Sequence, residues 1–333
     1  MFEFLIIIEA LGFLYGSAGR FLEAENIVGR SGTSFPPSTA TVSGLYAATI
    51  DTELIASLQL AGPFWAYSNE PQNFYVPLPF NYLLQDGEIK HILHWNSKVQ
   101  EWQTETGDFP TGKFDRGDRW ITIKSWHQPQ QVHQNPWKYL PHLHPRLELQ
   151  QRKLDTHSDR SNLFLENAVQ MYPDTCLIYL SNTPLNDGWY RFGGEGHMVD
   201  VRCVEIACST QRLFNQPVGK LFALITPAVW GSTRLSYSEP MTYEDNNWEL
   251  AWDKEAMLTE RPKTFRYRLG GSGKTKRLSR GRYAVPSGSV YLLKESLKQP
   301  WHKWPELWFP TEAYNFKRWG CGLALALGEE NSS

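Results

Sequence analysis

The stretch Asp187–Ile206, DGWYRFGGEGHMVDVRCVEI, constrains this chain more than any other. It opens on a turn pair, Asp187-Gly188, spends two aromatics at Trp189 and Tyr190, and sets Arg191 just before Gly193, Gly194 and Gly196. Apolar residues then recur at Met198, Val199, Val201, Cys203, Val204 and Ile206, with Asp200, Arg202 and Glu205 between them. Period-two alternation with β-branched residues predicts a β-strand. Glycines this dense before a strand mean a backbone closed to residues with a Cβ, or one that something approaches closely. Arg191 and His197 flank the cluster, so the approaching group can be an anion. A tight hairpin loop with no ligand satisfies the same pattern.

At 333 residues the chain has room for two domains of ordinary size. Hydrophobic residues make up 41% and aromatics 14%, which places it among folded proteins. A net charge of −2 is no global argument for nucleic acid, so any such argument must come from local clustering. Cys176, Cys203, Cys208 and Cys321 have no CxxC spacing, and three of them sit in apolar runs. Buried free thiols in a reducing compartment are the expectation. The N-terminus, MFEFLIIIEALGFLYGSAG, imitates a signal peptide but has no Lys or Arg before its apolar run and is interrupted by Glu3 and Glu9. It is also too short to span a bilayer. A first buried strand in a cytoplasmic protein, with no membrane partner, is the better reading.

Phe2–Glu9 is that strand. Ser34 can cap a helix with Pro36 and Pro37 in its first turn, running through Val42, Leu45, Tyr46, Thr49, Ile50, Leu54 and Leu58. Pro63–Tyr67 and Phe74–Pro79 read as short strands. From Trp95 to Pro145 the chain is rich in Trp, Gln and His and poor in aliphatics, which suggests an insertion or elaborated loop packed by aromatics. Arg146–Lys153 and Leu163–Met171 look like two extended arms around a polar tip, Leu154–Asn162. Asp174–Ser181, Gly219–Thr226, Ala284–Leu293 and Cys321–Leu327 complete the strands. Many short strands and few long helices predict an α+β protein of two sheet-based halves, 1–185 and 186–333.

Among possible sites, GGSGKT at Gly270–Thr275 fails as a P-loop because the place of its first glycine is Arg268. His142 and His144, or His91 and His94, have no carboxylate at ligand spacing, so no metal or cofactor is expected. No GxSxG or HExxH pattern occurs, and the cysteines lack a local activating partner. Between Arg261 and Arg282 stand nine Lys or Arg and no carboxylate. Cations, glycine turns and aromatics together suit a single-stranded polyanion: charged groups hold phosphates and aromatic faces stack bases. A solvated basic loop is the plain alternative.

Several segments in order resemble one family. RFGGEGHMVDV looks like the central glycine-rich motif, and RYAVPSGSVYLL like the later motif, of the Cmr subunit three family. These are Cas-five-group RAMP proteins of type III-B CRISPR effector complexes. FPPSTATVSGLYAA, GPFWAYS with FYVPLPFNYLL, LFALITPAVWG and the terminal GCGLALALG follow the same order. The resemblance implies two ferredoxin-like (RRM-like) domains with a thumb hairpin near 146–171. It implies a non-catalytic subunit that clasps the 5′ repeat-derived tag of the crRNA. Its expected partners are the large Cas-ten subunit and a Cas-seven-type backbone subunit. Carried onto this chain, the RNA-facing residues are Arg191, Gly193, Gly194, Gly196 and His197, then Pro286, Ser287 and Gly288. Arg277, Arg280 and Arg282 lead into the second motif. The family's first motif more often has a basic residue beyond its glutamate, where this chain has Gly196-His197.

Two other readings remain. RAMP endoribonucleases commonly place a general-base histidine near the first helix, and Phe35–Leu60 holds no His, Lys or Arg. Asp155 or Asp159 can be proposed for target cutting, but nothing marks them off from polar loop-tip residues. A protein-only scaffold would turn the basic stretch towards a partner's acidic surface.

Overall fold

The computed structural model describes residues 1–15, 35–49, 52–115, 117–145, 163–193, 196–231, 235–244, 246–266, 268–270 and 277–328. It is a mixed α/β structure made mostly of strands with few helices. The larger sheet has seven strands in the order Gly188–Phe192, His197–Glu205, Phe4–Ala10, Thr175–Ser181, Leu60–Tyr67, Tyr75–Pro77, Trp120–Thr122. Every neighbouring pair is antiparallel.

The first strand sits inside this sheet because both of its faces are apolar. Leu5 and Ile7 point into one core and Ile6 and Ile8 into the other, all essentially inaccessible to water. A strand buried on two sides reads as an unbroken apolar run, and that is why FLIII imitates a leader. The helix Thr39–Ala47 lies over the second core, contributing Val42, Leu45 and Tyr46. Tyr46 Oη donates to Ser181 Oγ at 2.8 Å, so its one polar atom is satisfied where it is buried.

The first core is shared with a smaller sheet of four strands, ordered Lys254–Leu258, Val290–Leu297, Gly219–Leu224, Ala324–Ala326. Trp230, Trp252, Trp304 and Trp308 meet there, with ring centroids 5.4 Å apart for Trp252–Trp304 and Trp252–Trp308. Edge-to-face pairs of this kind each add about 0.5–1.5 kcal/mol beyond their burial.

Several expectations shift against this architecture. The boundary at 185/186 runs through a hydrogen-bonded sheet, because Phe4–Ala10 pairs with His197–Glu205 along seven register positions. Within Trp95–Pro145, Trp120–Thr122 is the far strand of the large sheet, and Trp126 donates its Nε1–H to Ala326 O at 2.7 Å. The arm's first strand is Trp137–Pro145, which pairs with Leu163–Met171 from Trp137↔Met171 to Pro145↔Leu163. Leu14 bridges to Val169 on one strand of the arm, and Pro141 and Pro145, which lack N–H, lie on the other. The polar tip Leu154–Asn162, with Asp155 and Asp159, lies outside the described residues. The first helix begins at Thr39 with Ser38 before it, and a second short helix follows at Thr52–Ser57. All four cysteines are free, but only Cys176 and Cys321 are buried. No helix among the described residues is long and apolar enough to cross a membrane.

Candidate nucleic-acid interface

The glycine hairpin joins Gly188–Phe192 to His197–Glu205 at the outer edge of the large sheet. Gly193 and Gly196 have φ of +76° and +68°, and Gly196 N donates to Gly193 O at 3.3 Å. L side chains rarely adopt that backbone, so these two glycines are required by the turn itself. Gly194 lies outside the described residues. A Cβ at Gly196 would stand 3.5 Å from Arg191 Cδ, so the arginine's aliphatic stem lies along the glycine.

Register decides which side chains face which way. Trp189 stands opposite Asp200, Tyr190 opposite Val199, Arg191 opposite Met198 and Phe192 opposite His197. Successive side chains alternate, so Trp189, Arg191, Met198 and Asp200 share one face. Tyr190, Phe192, Val199 and Val201 take the other and belong to the second core. On the first face the apolar packing ends at an ion pair, Arg202 Nη2 to Glu9 Oε1 at 2.5 Å. Beyond it Trp189 is 75% exposed, and Met198 and Arg191 are exposed too.

His197, half-buried, meets Tyr15, which in turn reaches His142 on the arm. The Tyr15 ring stacks on His197 with centroids 4.6 Å apart, and Tyr15 Oη shares a 2.9 Å hydrogen bond with His142 Nδ1. Leu14 exchanges backbone hydrogen bonds with Val169 at 2.9 and 2.7 Å, and Leu11 N donates to Met198 O at 3.3 Å. The N-terminal segment thus laces the arm to the glycine hairpin. Sequence reasoning missed Tyr15, and no local pattern could have found it, because the three residues meet only through the fold.

The second motif is placed differently. Pro286 and Gly288 are buried and Ser287 is half-buried. Gly288 has φ +90°, and a Cβ there would come within 2.8 Å of both Leu78 O and Phe80 Cε1. Gly288 N donates to Leu224 O at 2.7 Å and its carbonyl accepts from Phe80 N at 2.8 Å. These contacts account for the glycine by packing within the protein. Arg282 is also buried: Nη2 meets Glu312 Oε2 at 3.2 Å, and its guanidinium lies 5.4 Å from the Phe316 ring centre. The absence of a carboxylate between 261 and 282 concealed this, since Glu312 arrives from a later turn. Arg282 therefore holds the protein together and offers no surface charge. Arg280 is exposed, with its backbone N–H on Glu312 Oε1 at 2.8 Å. Arg277 opens the strand Arg277–Leu278, and its side chain lies outside the described residues, as does Lys274.

Burial pushes the Cys176 and Cys321 thiols up to about 12, so neither is a thiolate nucleophile at neutral pH. Among the described residues no three His, Cys, Asp or Glu side chains come together as a metal site. A second exposed aromatic pair, Tyr243 and Trp248 at 5.3 Å, stands on the hairpin Met241–Glu244/Asn247–Leu250. Of the five carboxylates in residues 235–253, Glu239 and Asp253 pair with Lys254 and Lys294, and Glu244, Asp245 and Glu249 leave the hairpin itself acidic with no Lys, Arg or His in its sequence.

Two antiparallel sheets around a common core, with an exposed arginine and tryptophan on an edge hairpin, define a strand-rich protein. The chain matches the family described as CRISPR-associated protein (Cas_Cmr3) over residues 21–329, and it belongs to that family. No curated protein matches it. Among solved structures it is similar to a chain of the type III-B Cmr-beta complex bound to cognate target RNA, at 12% identity, TM-score 0.47, and 86% of each chain. It is also similar to a chain of a Csm1-Csm4 cassette in complex with cA4, at 10% identity, TM-score 0.35, covering 88% of this chain and 99% of that one.

Proposed function

We propose that this chain is a non-catalytic subunit of a type III CRISPR RNA-guided interference complex. It binds the 5′ repeat-derived tag of the crRNA at the glycine hairpin and docks the large Cas-ten subunit beside a Cas-seven-type backbone subunit. The observation that carries the reading is the hairpin of a Cas_Cmr3-family chain. There two left-handed glycines bring an exposed arginine and tryptophan to a sheet edge. Phosphates approach such a backbone closely, and the guanidinium supplies the charge-assisted hydrogen bonds. The strand orders support a ferredoxin-like reading of each sheet. Taken by position in the chain, the four core strands of the large sheet lie in the order four, one, three, two, and those of the small sheet do likewise. Purification from cells followed by sequencing of bound RNA tests the function. Recovery of guide RNAs with a common 5′ end supports it, and recovery of none overturns it.

One observation favours a second reading, a RAMP endoribonuclease. Tyr15, His142 and His197 bring a phenol and two imidazoles together beside the glycine turn, and such groups serve general acid–base cleavage. Incubation of the purified chain with labelled repeat RNA separates the two. Cleavage lost in His142→Ala or His197→Ala would make the chain an enzyme.

A further inference from the structure

Side-chain alternation in the glycine hairpin leaves one large residue with no part in either core. Trp189 is 75% exposed on a regular strand, whereas Trp65, Trp126, Trp230 and Trp304 are almost wholly buried. Its indole stays in water although burying an aromatic of that size is worth about 2–3 kcal/mol. Nothing in the fold of this hairpin requires it, since Tyr190 and Phe192 on the opposite face anchor the strand.

The surroundings say what the indole suits. Arg191 lies two residues along the same face, roughly 6.6 Å away by strand rise. Met198 stands across from Arg191, and Asp200 across from Trp189 itself. Among the described residues Arg191 makes no ion pair, so its guanidinium is available to an anion. Its aliphatic stem lies over Gly196, next to the turn. One indole and one thioether make too small a patch to dock a folded protein, which needs about 800 Å² per partner. They match the face of one base, with a cation placed for the phosphate beside it. The acidic Tyr243–Trp248 hairpin has the aromatic pair without the cation and fits no such ligand.

We propose that Trp189 is the stacking platform for one unpaired nucleotide of a single-stranded RNA, with Arg191 holding the adjacent phosphate and Met198 lining the edge of the base. The inference rests on the RNA-binding reading above and names the residue that meets a base. Stacking on an aromatic is tolerant of sequence because every base has a π-face, so this contact grips the strand without reading it.

The test uses the full chain and two fluorescein-labelled single-stranded RNAs of equal length, one intact and one carrying abasic sites. The wild-type chain binds the intact strand roughly tenfold more tightly than the abasic one. Trp189→Leu removes that preference, while Trp189→Phe keeps most of it because a ring is retained. Arg191→Ala weakens both strands alike. A Trp189→Leu chain that still prefers the intact strand overturns the platform and leaves the RNA-binding reading standing. A Trp189→Leu chain that keeps the preference but no longer assembles with its protein partners assigns the indole to a protein surface and also overturns it. A wild-type chain that binds neither strand, alone or in its purified complex, overturns both.

Discussion

Arg282 and Glu312 form an ion pair of 3.2 Å, with 3% of the arginine side chain and 18% of the glutamate side chain open to solvent. The same carboxylate accepts the Arg280 backbone N–H at 2.8 Å, so it ties two positions of the second motif to the turn at Thr311–Asn315. Removing one partner of a buried pair strands the other charge, and such losses run to about 3–5 kcal/mol. Glu312→Ala should therefore lower the unfolding free energy by roughly 3 kcal/mol, the low end because the carboxylate is partly hydrated. Urea denaturation measures this. Arg282→Met combined with Glu312→Leu should recover much of the loss, since an apolar pair leaves no buried charge.

The two glycine motifs make opposite demands on their glycines. Gly288 combines φ +90° with a neighbouring backbone oxygen 2.8 Å from any added Cβ, so Gly288→Ala must push Leu78 or Phe80 aside. Strain and overpacking together should cost about 2–4 kcal/mol. Gly193 has φ +76° but only Thr41 Cγ2 near, at 4.0 Å. Gly193→Asn should be tolerated within about 1 kcal/mol, because asparagine enters the left-handed region readily. Thermal melts of the two variants give the comparison, and equal losses would mean the first turn is packed as tightly as the second.

Two histidines set an acid limit on stability. Burial holds His133 below its ordinary value near 6.5. His302 is lowered as well, chiefly by burial and then by the terminal ammonium, Lys303 and Lys317. A histidine whose pKa falls on folding binds fewer protons folded than unfolded, so its contribution is complete above about pH 6.5 and is lost as pH drops below that value. Stability should decline on the acid side of neutrality, and His133→Gln with His302→Gln should flatten the decline. An unchanged slope in the double variant would place the acid sensitivity elsewhere.

Much of the fold was legible in the sequence because it is carried by local pattern. FLIIIEA is an interior strand by its unbroken apolar run, and HMVDVRCVE is a sheet strand by its alternation. What was not legible depends on distant partners. Nothing near Arg282 announces Glu312, and nothing near Asp187 says that the hairpin adds to the first strand's sheet instead of starting a new domain. Prolines usually break strands, yet Pro141 and Pro145 lie within the paired arm strand Trp137–Pro145. For the site, the parity of GWYRF already separates Trp189 and Arg191 from Tyr190 and Phe192. Which pair faces water needed the second core.

The arginines can be ranked by how binding responds to salt. Each phosphate neutralised on a single strand contributes about −0.7 to the log–log slope of affinity against salt. Arg191 and Arg280 are exposed, whereas the Arg282 side chain is buried against Glu312. Lys263 is exposed with a partner, Asp118, at 3.4 Å, and a pair that open is worth only about 0–1 kcal/mol, so it gives way to a phosphate at little loss. Arg191→Ala with Arg280→Ala should flatten the slope by about 1.4 if both touch phosphates. Arg282→Met with Glu312→Leu should leave it unchanged, because the pair it removes is internal. The measurement is a titration of labelled single-stranded RNA across a salt series, on the assembled complex where other subunits complete the groove. A slope that falls for the Arg282 variant but not for the Arg191 variant would move the RNA from the glycine hairpin to the second motif, and with it the assignment of which loop grips the strand.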